Sequence, residues 1–192
     1  AIDDARFKLQ GLGHDAQTIE LVMKNALDSV LGTAFGLDEA ATTAAIALAS
    51  GVKPGQDLER TLRLTADAAA IAKVGMAEMS DIFGTVAAAN RLTMLEVRRL
   101  AQHGIPMLQW LAEEYGVTAA EAKKMVADGE VDFERFRNAI EKNIGGAALE
   151  MGDSWSGAFA NMGHAASRLG AALLGPIFQQ MKGWFHAVIG LL

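Results

Sequence analysis

Apolar residues recur at helical spacing in short stretches, and Gly punctuates them along nearly the whole chain. Ile19, Val22, Met23, Ala26, Leu27 and Val30 fall on one face of a 3.6-residue helix opened by Asp15. Phe133, Phe136, Ile140 and Ile144 repeat the pattern after Asp132, and Gly145-Gly146 breaks it. Ala, the best helix former, makes up about a fifth of the chain. Aromatic residues supply only 6%, and the Val and Thr that strands favour never form a run longer than two. An all-β fold is excluded. The fold class read from this pattern is all-α: a compact bundle of short helices with a long amphipathic C-terminal helix or helix pair.

The spacing predicts helices over about 2–10, 15–31, 38–50, 55–74 and 76–89. Asp38 and Glu39 sit in the first turn of the third, where the helix dipole favours negative charge. In the fourth, Leu58, Leu62, Leu64 and Ile71 are expected inward. Thr93-x-x-Glu96 is a capping box opening a helix that ends at Gly104, and Thr118-x-x-Glu121 opens another that ends at Gly129. Between them Pro106 starts a helix running through Tyr115. The two boxed segments, 93–104 and 118–129, share the pattern Thr-x-x-Glu-x-basic-basic-apolar-x-x-x-Gly at a constant offset of 25. Two readings stand: two capped helices of one length, or two copies of a helix-turn-helix unit.

Charge divides the 192-residue chain. All 23 acids and 15 of the 17 basic residues lie at or before Asp153, so residues 1–153 carry −8 and residues 154–192 carry +2. Three parts follow: N-terminal helices over 1–36 that join the main bundle, an acidic helical domain over 37–153, and an apolar amphipathic arm over 154–192. In the arm, Trp155, Phe159, Met162, Ala166 and Leu169 share a helical stripe. After Pro176, so do Ile177, Met181, Trp184, Phe185, Val188 and Leu192, which form the candidate interaction face. Such a face is expected to meet the domain's own core, another copy, or a membrane surface. Both ends of the chain read as cut from something longer, and Ala1-Ile2-Asp3-Asp4 is no signal peptide.

Little in the sequence carries bond-making chemistry. Without Cys there are no disulfides, thiolate nucleophiles or Cys-based zinc sites. No Gly-x-Ser-x-Gly elbow, phosphate-binding loop or His-Glu-x-x-His helix occurs. His14, His103, His164 and His186 stand alone, with His103 placed at a helix C-terminus. Glu113, Glu114 and Asp128 are the carboxylates best spaced for acid–base work, but they read as solvated helix faces. The pairs Arg98-Arg99 and Lys123-Lys124 lie within three residues of acids, which favours local ion pairing. The net charge of −6 argues against general nucleic-acid binding, and Trp110 and Tyr115 lack the basic stripe of a single-strand platform. No enzyme activity, cofactor or metal is expected.

An ordered succession of runs adds to this reading. Ala89-Asn90-Arg91-Leu92-Thr93-Met94-Leu95-Glu96-Val97 comes first, then Gly104-Ile105-Pro106-Met107-Leu108-Gln109-Trp110-Leu111. Tyr115-Gly116-Val117-Thr118, Lys124-Met125 and Gly129-Glu130-Val131-Asp132-Phe133 follow. Gly145-Gly146-Ala147-Ala148, Met151-Gly152-Asp153-Ser154-Trp155-Ser156-Gly157-Ala158 and Asn161-Met162 complete the series. From Leu37 to Gly170 the chain resembles the helical region of tail tape measure proteins of long-tailed phages and prophages, and the first 30 residues resemble it loosely. The resemblance implies a structural protein of the virion tail, present in the host cytoplasm during assembly. It implies roles in tail length determination, tail tube assembly and genome ejection. Tail tube protein, tail assembly chaperones and tail tip proteins are the implied partners, with self-association and transient membrane contact beside them. The alternative is a membrane-interacting helical module acting at the host envelope during ejection.

Overall fold

A computed structural model describes residues 2–154. Among them are ten α-helices and no strand. They are α1 (Ile2–Gly11), α2 (Ala16–Val30), α3 (Leu37–Ala49), α4 (Gln56–Ala72), α5 (Met76–Ala89), α6 (Met94–Gln102), α7 (Met107–Tyr115), α8 (Ala119–Asp128), α9 (Phe133–Ile144) and α10 (Ala147–Asp153). The all-α expectation holds. The arm from Trp155 onward, with both of its apolar stripes, lies outside the described residues.

Side-chain caps set most of the starts that the sequence marks. Asp15 accepts from the Thr18 N–H at 2.7 Å, and Asp132 accepts from the Arg135 N–H at 2.8 Å. Both capping boxes form. The offset of 25 is also visible in the backbone at the helix ends. Ile105 N–H donates to Leu100 O at 2.9 Å, and Glu130 N–H donates to Met125 O at the same distance. Gly104 and Gly129 take φ of +77° and +79° between those partners, the left-handed geometry of a Schellman-type end. The segment opening the first unit touches the segment closing the second. Leu92 N–H donates to Val131 O at 2.8 Å, and Phe133 N–H donates to Asn90 Oδ1 at 3.3 Å.

Helix α4 is the hub, packed against α2, α3, α5, α9 and α10, while α3 is wedged between α1, α2 and α5. Leu58, Leu62 and Leu64 are buried as expected. Ile71 is not: it is 44% exposed, because the inner face near the end of α4 is taken by Ala66, Ala68, Ala69 and Ala70. Those small residues let neighbouring helices approach closely. Farther along the core Phe83 of α5 meets Phe136 of α9 edge-on, with ring centroids 4.9 Å apart and planes at 67°. Phe133 stacks behind Phe136 at 6.3 Å.

Helix α10 goes beyond the sequence reading, which stops at the Gly145-Gly146 break. Its N-terminal N–H groups are satisfied from afar. Asp67 of α4 accepts from Gly146 N–H at 3.0 Å and from Ala148 N–H at 2.9 Å.

Candidate interaction surfaces and the α4–α9 clamp

Helices α4 and α9 are joined by a charge cluster. Arg137 of α9 is only 6% exposed and sits in the apolar stripe of that helix, one turn after Phe133, whose ring lies 4.5 Å beneath the guanidinium. It donates to Asp57 Oδ1 at 2.5 Å, Thr61 Oγ1 at 3.0 Å and Glu134 Oε2 at 2.5 Å. Arg60 of α4 reaches back to Glu134 at 2.7 Å, Asn138 at 2.6 Å and Glu141 at 2.7 Å. Burial pushes the Asp57 carboxyl upward, but the Arg137 hydrogen bond and charge outweigh it and hold the group below its ordinary 3.8. Hydrogen bonding from Arg60, and then from Arg137, holds Glu134 below 4.5.

A cleft of about 430 Å³ lies beside this cluster, bounded by α2, α4, α9 and α10. Asp28, Asp67, Glu141, Arg60 and Arg63 line it, and Leu31 and Leu149 stand exposed around it. The three carboxylates are each engaged: Asp28 with Lys24, Glu141 with Arg60, and Asp67 with the α10 backbone. Burial raises the Asp67 carboxyl above 3.8, against the two backbone hydrogen bonds that lower it. The polar concavity is therefore built of mutually satisfied groups, a structural joint between helices.

A second concavity is apolar. Between α1 and α3 a groove of about 320 Å³ is lined by Lys8, Gly11, Leu12, Ala45, Ile46 and Ala49. Leu12 is 55% exposed. Phe7, one turn before Gly11 on the same helix face, is 76% exposed.

The residues singled out from sequence are dispersed. Glu113 accepts from Gln109 at 2.9 Å on α7, while Asp128 pairs with Lys124 on α8. No group of three His, Asp or Glu able to hold a metal occurs among the described residues. His103 is the C-cap of α6, facing Glu78 of α5 at 3.4 Å; His164 and His186 lie outside the described residues. Local ion pairing holds for Lys123-Lys124 but not for Arg98-Arg99. Glu96 and Glu121 are committed to their own caps, so Arg99 reaches Asp81 of α5 at 3.3 Å and Lys124 turns to Asp128. Arg98 donates to Met94 O at 3.1 Å. Tyr115 carries one guanidinium over its ring, that of Arg135 at 5.5 Å. No described helix is long and apolar enough to cross a membrane. The candidate face of Ile177, Met181, Trp184, Phe185, Val188 and Leu192 lies outside the described residues.

Sequence reasoning missed the groove, the clamp and the Asp67 anchor. The signals for the last two were present: one acid inside the Ala-rich run 66–70, and one Arg inside the Phe133–Ile144 stripe.

No curated protein and no solved structure matches the chain. A family model described as tape measure protein matches residues 1–173. It takes in the whole ten-helix body, including the N-terminal helices that resembled the family only loosely, and the first stripe of the arm. The chain thus belongs to the tape measure protein family, structural components of the phage tail.

Proposed function

We propose that these residues form a folded contact region of a tail tape measure protein, acting in tail length determination, tube assembly and genome ejection by packing against neighbouring tail parts. The observation that carries this reading is the family match over residues 1–173. The committed state of the carboxylates around the polar cleft supports a role in packing over one in bond making. The helices are short, and the body is closed by packing between sequence neighbours and by contacts of α4 with α9 and α10 far along the chain. The acidic body, at −8 over residues 1–153, repels DNA sharing the tail lumen. Tail tube protein, assembly chaperones and tail tip proteins are the partners proposed for the face of Ile177, Met181, Trp184, Phe185, Val188 and Leu192, in the host cytoplasm before tail completion.

Deleting residues 37–170 from the parent chain tests the reading. Tails should then fail to assemble or lose infectivity; tails of normal length and full infectivity would refute it. In the intact chain, Met181→Asp with Trp184→Asp should reduce co-purification with tail tube protein or chaperone. Unchanged recovery of every partner would remove the assigned face.

A further inference from the structure

A small cavity lies in the core where α3, α4 and α5 meet, and one of the residues that line it carries an unpartnered hydroxyl. The cavity measures about 10 Å³. Thr43 of α3, Thr61 and Thr65 of α4 and Ser80 of α5 line it, with Ala47 and Phe83 among the apolar walls. All six residues are buried. A wholly apolar hole of this size would stay dry, whereas this one carries four hydroxyls.

The bonding of these hydroxyls is uneven. Thr61 donates to Asp57 O at 2.8 Å and accepts from Arg137 Nη1 at 3.0 Å. Thr65 donates to Thr61 O at 2.8 Å, which leaves its oxygen lone pairs able to accept. Thr43 is only 1% exposed, and its Oγ1 is buried without a hydrogen-bond partner in the protein. Its neighbour Thr42 donates to Asp38 O, and Thr85 donates to Asp81 O, the usual return of a helical threonine to the carbonyl four residues back. Thr43 forgoes the Glu39 carbonyl that this pattern offers. A hydroxyl taken out of water without gaining a partner is costly, and the cavity it lines is where the partner fits.

We propose that this cavity is a binding site for one structural water joining α3 to α4 and α5. Thr43 Oγ1 donates its proton to the water oxygen. The water gives its own two protons to acceptors across the cavity, the Thr65 oxygen on α4 and the Ser80 oxygen on α5. About one probe sphere of space suffices for a single water, and about three partners is the usual number for a buried one. No charged side chain lines the space, so a cation there would find nothing to repay its dehydration. The bridge also extends the clamp. Thr65 donates to Thr61 O, and the Thr61 hydroxyl accepts from Arg137, so a line of polar contacts runs through the core from α3 to α9.

Thr43→Val keeps the shape of the side chain and removes its hydroxyl. With the water in place, the substitution should raise the unfolding equilibrium constant about fivefold or more, because the water loses a partner. A dry cavity predicts the opposite sign, since valine would then relieve a buried unpartnered group. A variant as stable as the parent, or more stable, overturns the proposal. A turn of the Thr43 hydroxyl onto Glu39 O would also make valine destabilising, and Thr65→Val separates that case. Through a shared water the two substitutions are coupled, so the double variant should lose clearly less than the sum of the singles. Additive losses mark independent bonds and refute the bridge. A further readout uses the unaltered full chain. The methyl protons of Ala47 and Val52, which line the cavity and do not exchange with solvent, should show dipolar contact with a long-lived water by NMR. Absence of that contact at both residues refutes the bound water.

Discussion

Arg137 on α9 donates to Asp57 on α4 across 80 residues of sequence, at 2.5 Å, with its guanidinium buried and the carboxylate half exposed. That asymmetry sets the cost of breaking the pair. Removing Arg137 leaves Asp57 and Glu134 able to rehydrate, so the loss falls short of that for a fully buried pair. Arg137→Ala should lower the unfolding free energy by about 2 kcal/mol, which includes the lost contact over Phe133. Arg137→Lys should recover little of it, because one ammonium cannot serve Asp57, Thr61 and Glu134 from a planar fork. Urea unfolding followed by circular dichroism measures both. A Lys variant as stable as the parent would mean that charge alone, without the fork, holds the joint.

The clamp and the α10 anchor carry opposite pH signs. Glu134 and Asp57 have folded values below their ordinary 4.5 and 3.8, so each binds its proton more weakly when folded. Their stabilisation is present above those ordinary values and is lost as pH falls through the lower folded ones. Asp67 is raised by burial and binds its proton more tightly when folded. Its contribution to stability therefore declines as pH rises from 3.8 through the raised value. Urea midpoints taken between pH 3 and 7 should show Glu134→Gln flattening the acid limb. Asp67→Asn should instead remove a decline on the higher-pH side. If both substitutions flatten the same limb, the assignment of signs is wrong.

These two features also mark where sequence legibility ended. Asp15, Thr93, Thr118 and Asp132 could be read as caps because each partner lies within three residues, and local spacing decides that chemistry. Asp67 caps a helix about 80 residues away, so no local pattern announces α10. Ile71 fits the inward stripe of α4 by period alone, but which side of that helix is covered at its end depends on where neighbouring helices pack. The apolar groove is hidden for the same reason. Leu12 lies just past α1 and Ile46 lies on α3, and they acquire a joint meaning only when α1 lies on α3. The family pattern was legible, because its runs keep order and spacing in one dimension.

Two helices end on non-glycine residues in the left-handed region, and the pair predicts opposite outcomes. Lys73 closes α4 at φ 57°, and Asn90 closes α5 at φ 45°. A lysine held there is strained by about 1–2 kcal/mol, which glycine would relieve at some cost in chain entropy. Lys73→Gly should therefore stabilise by about 0.5–1 kcal/mol. Asn90 tolerates the conformation better, and its Oδ1 accepts from Phe133 N–H at 3.3 Å, tying the first boxed segment to the second. Asn90→Gly should be neutral or destabilising. Paired melting curves check the contrast, and equal gains from both would show that the Asn90 tie contributes nothing.

Gly152 is the residue that lets α10 lie on the loop after α2. A Cβ there would stand 2.0 Å from Gly32 O and 3.0 Å from the Thr33 Cα, both backbone atoms that no rotamer change can move aside. Gly84 makes the comparison: its added Cβ would meet Ser50 Oγ at 3.0 Å and Ile46 Cγ2 at 3.2 Å, side-chain atoms able to shift. Inside α5, Gly84→Ala also gains the helix propensity of alanine, about 1 kcal/mol, against that crowding, so it should stay within about 1 kcal/mol of the parent. Gly152→Ala, next to the last residue of α10, gains less of that propensity and must push α10 away from residues 32–33, at a net cost of about 1–3 kcal/mol. The displacement has a local signature, since Gly146 and Ala148 N–H are protected only while α10 stays on Asp67. Hydrogen exchange at those two amides should accelerate in Gly152→Ala and stay unchanged in Gly84→Ala. Acceleration spread evenly over α2 to α9 would instead indicate global loosening and would refute the close packing of Gly152 on Gly32 as the local constraint.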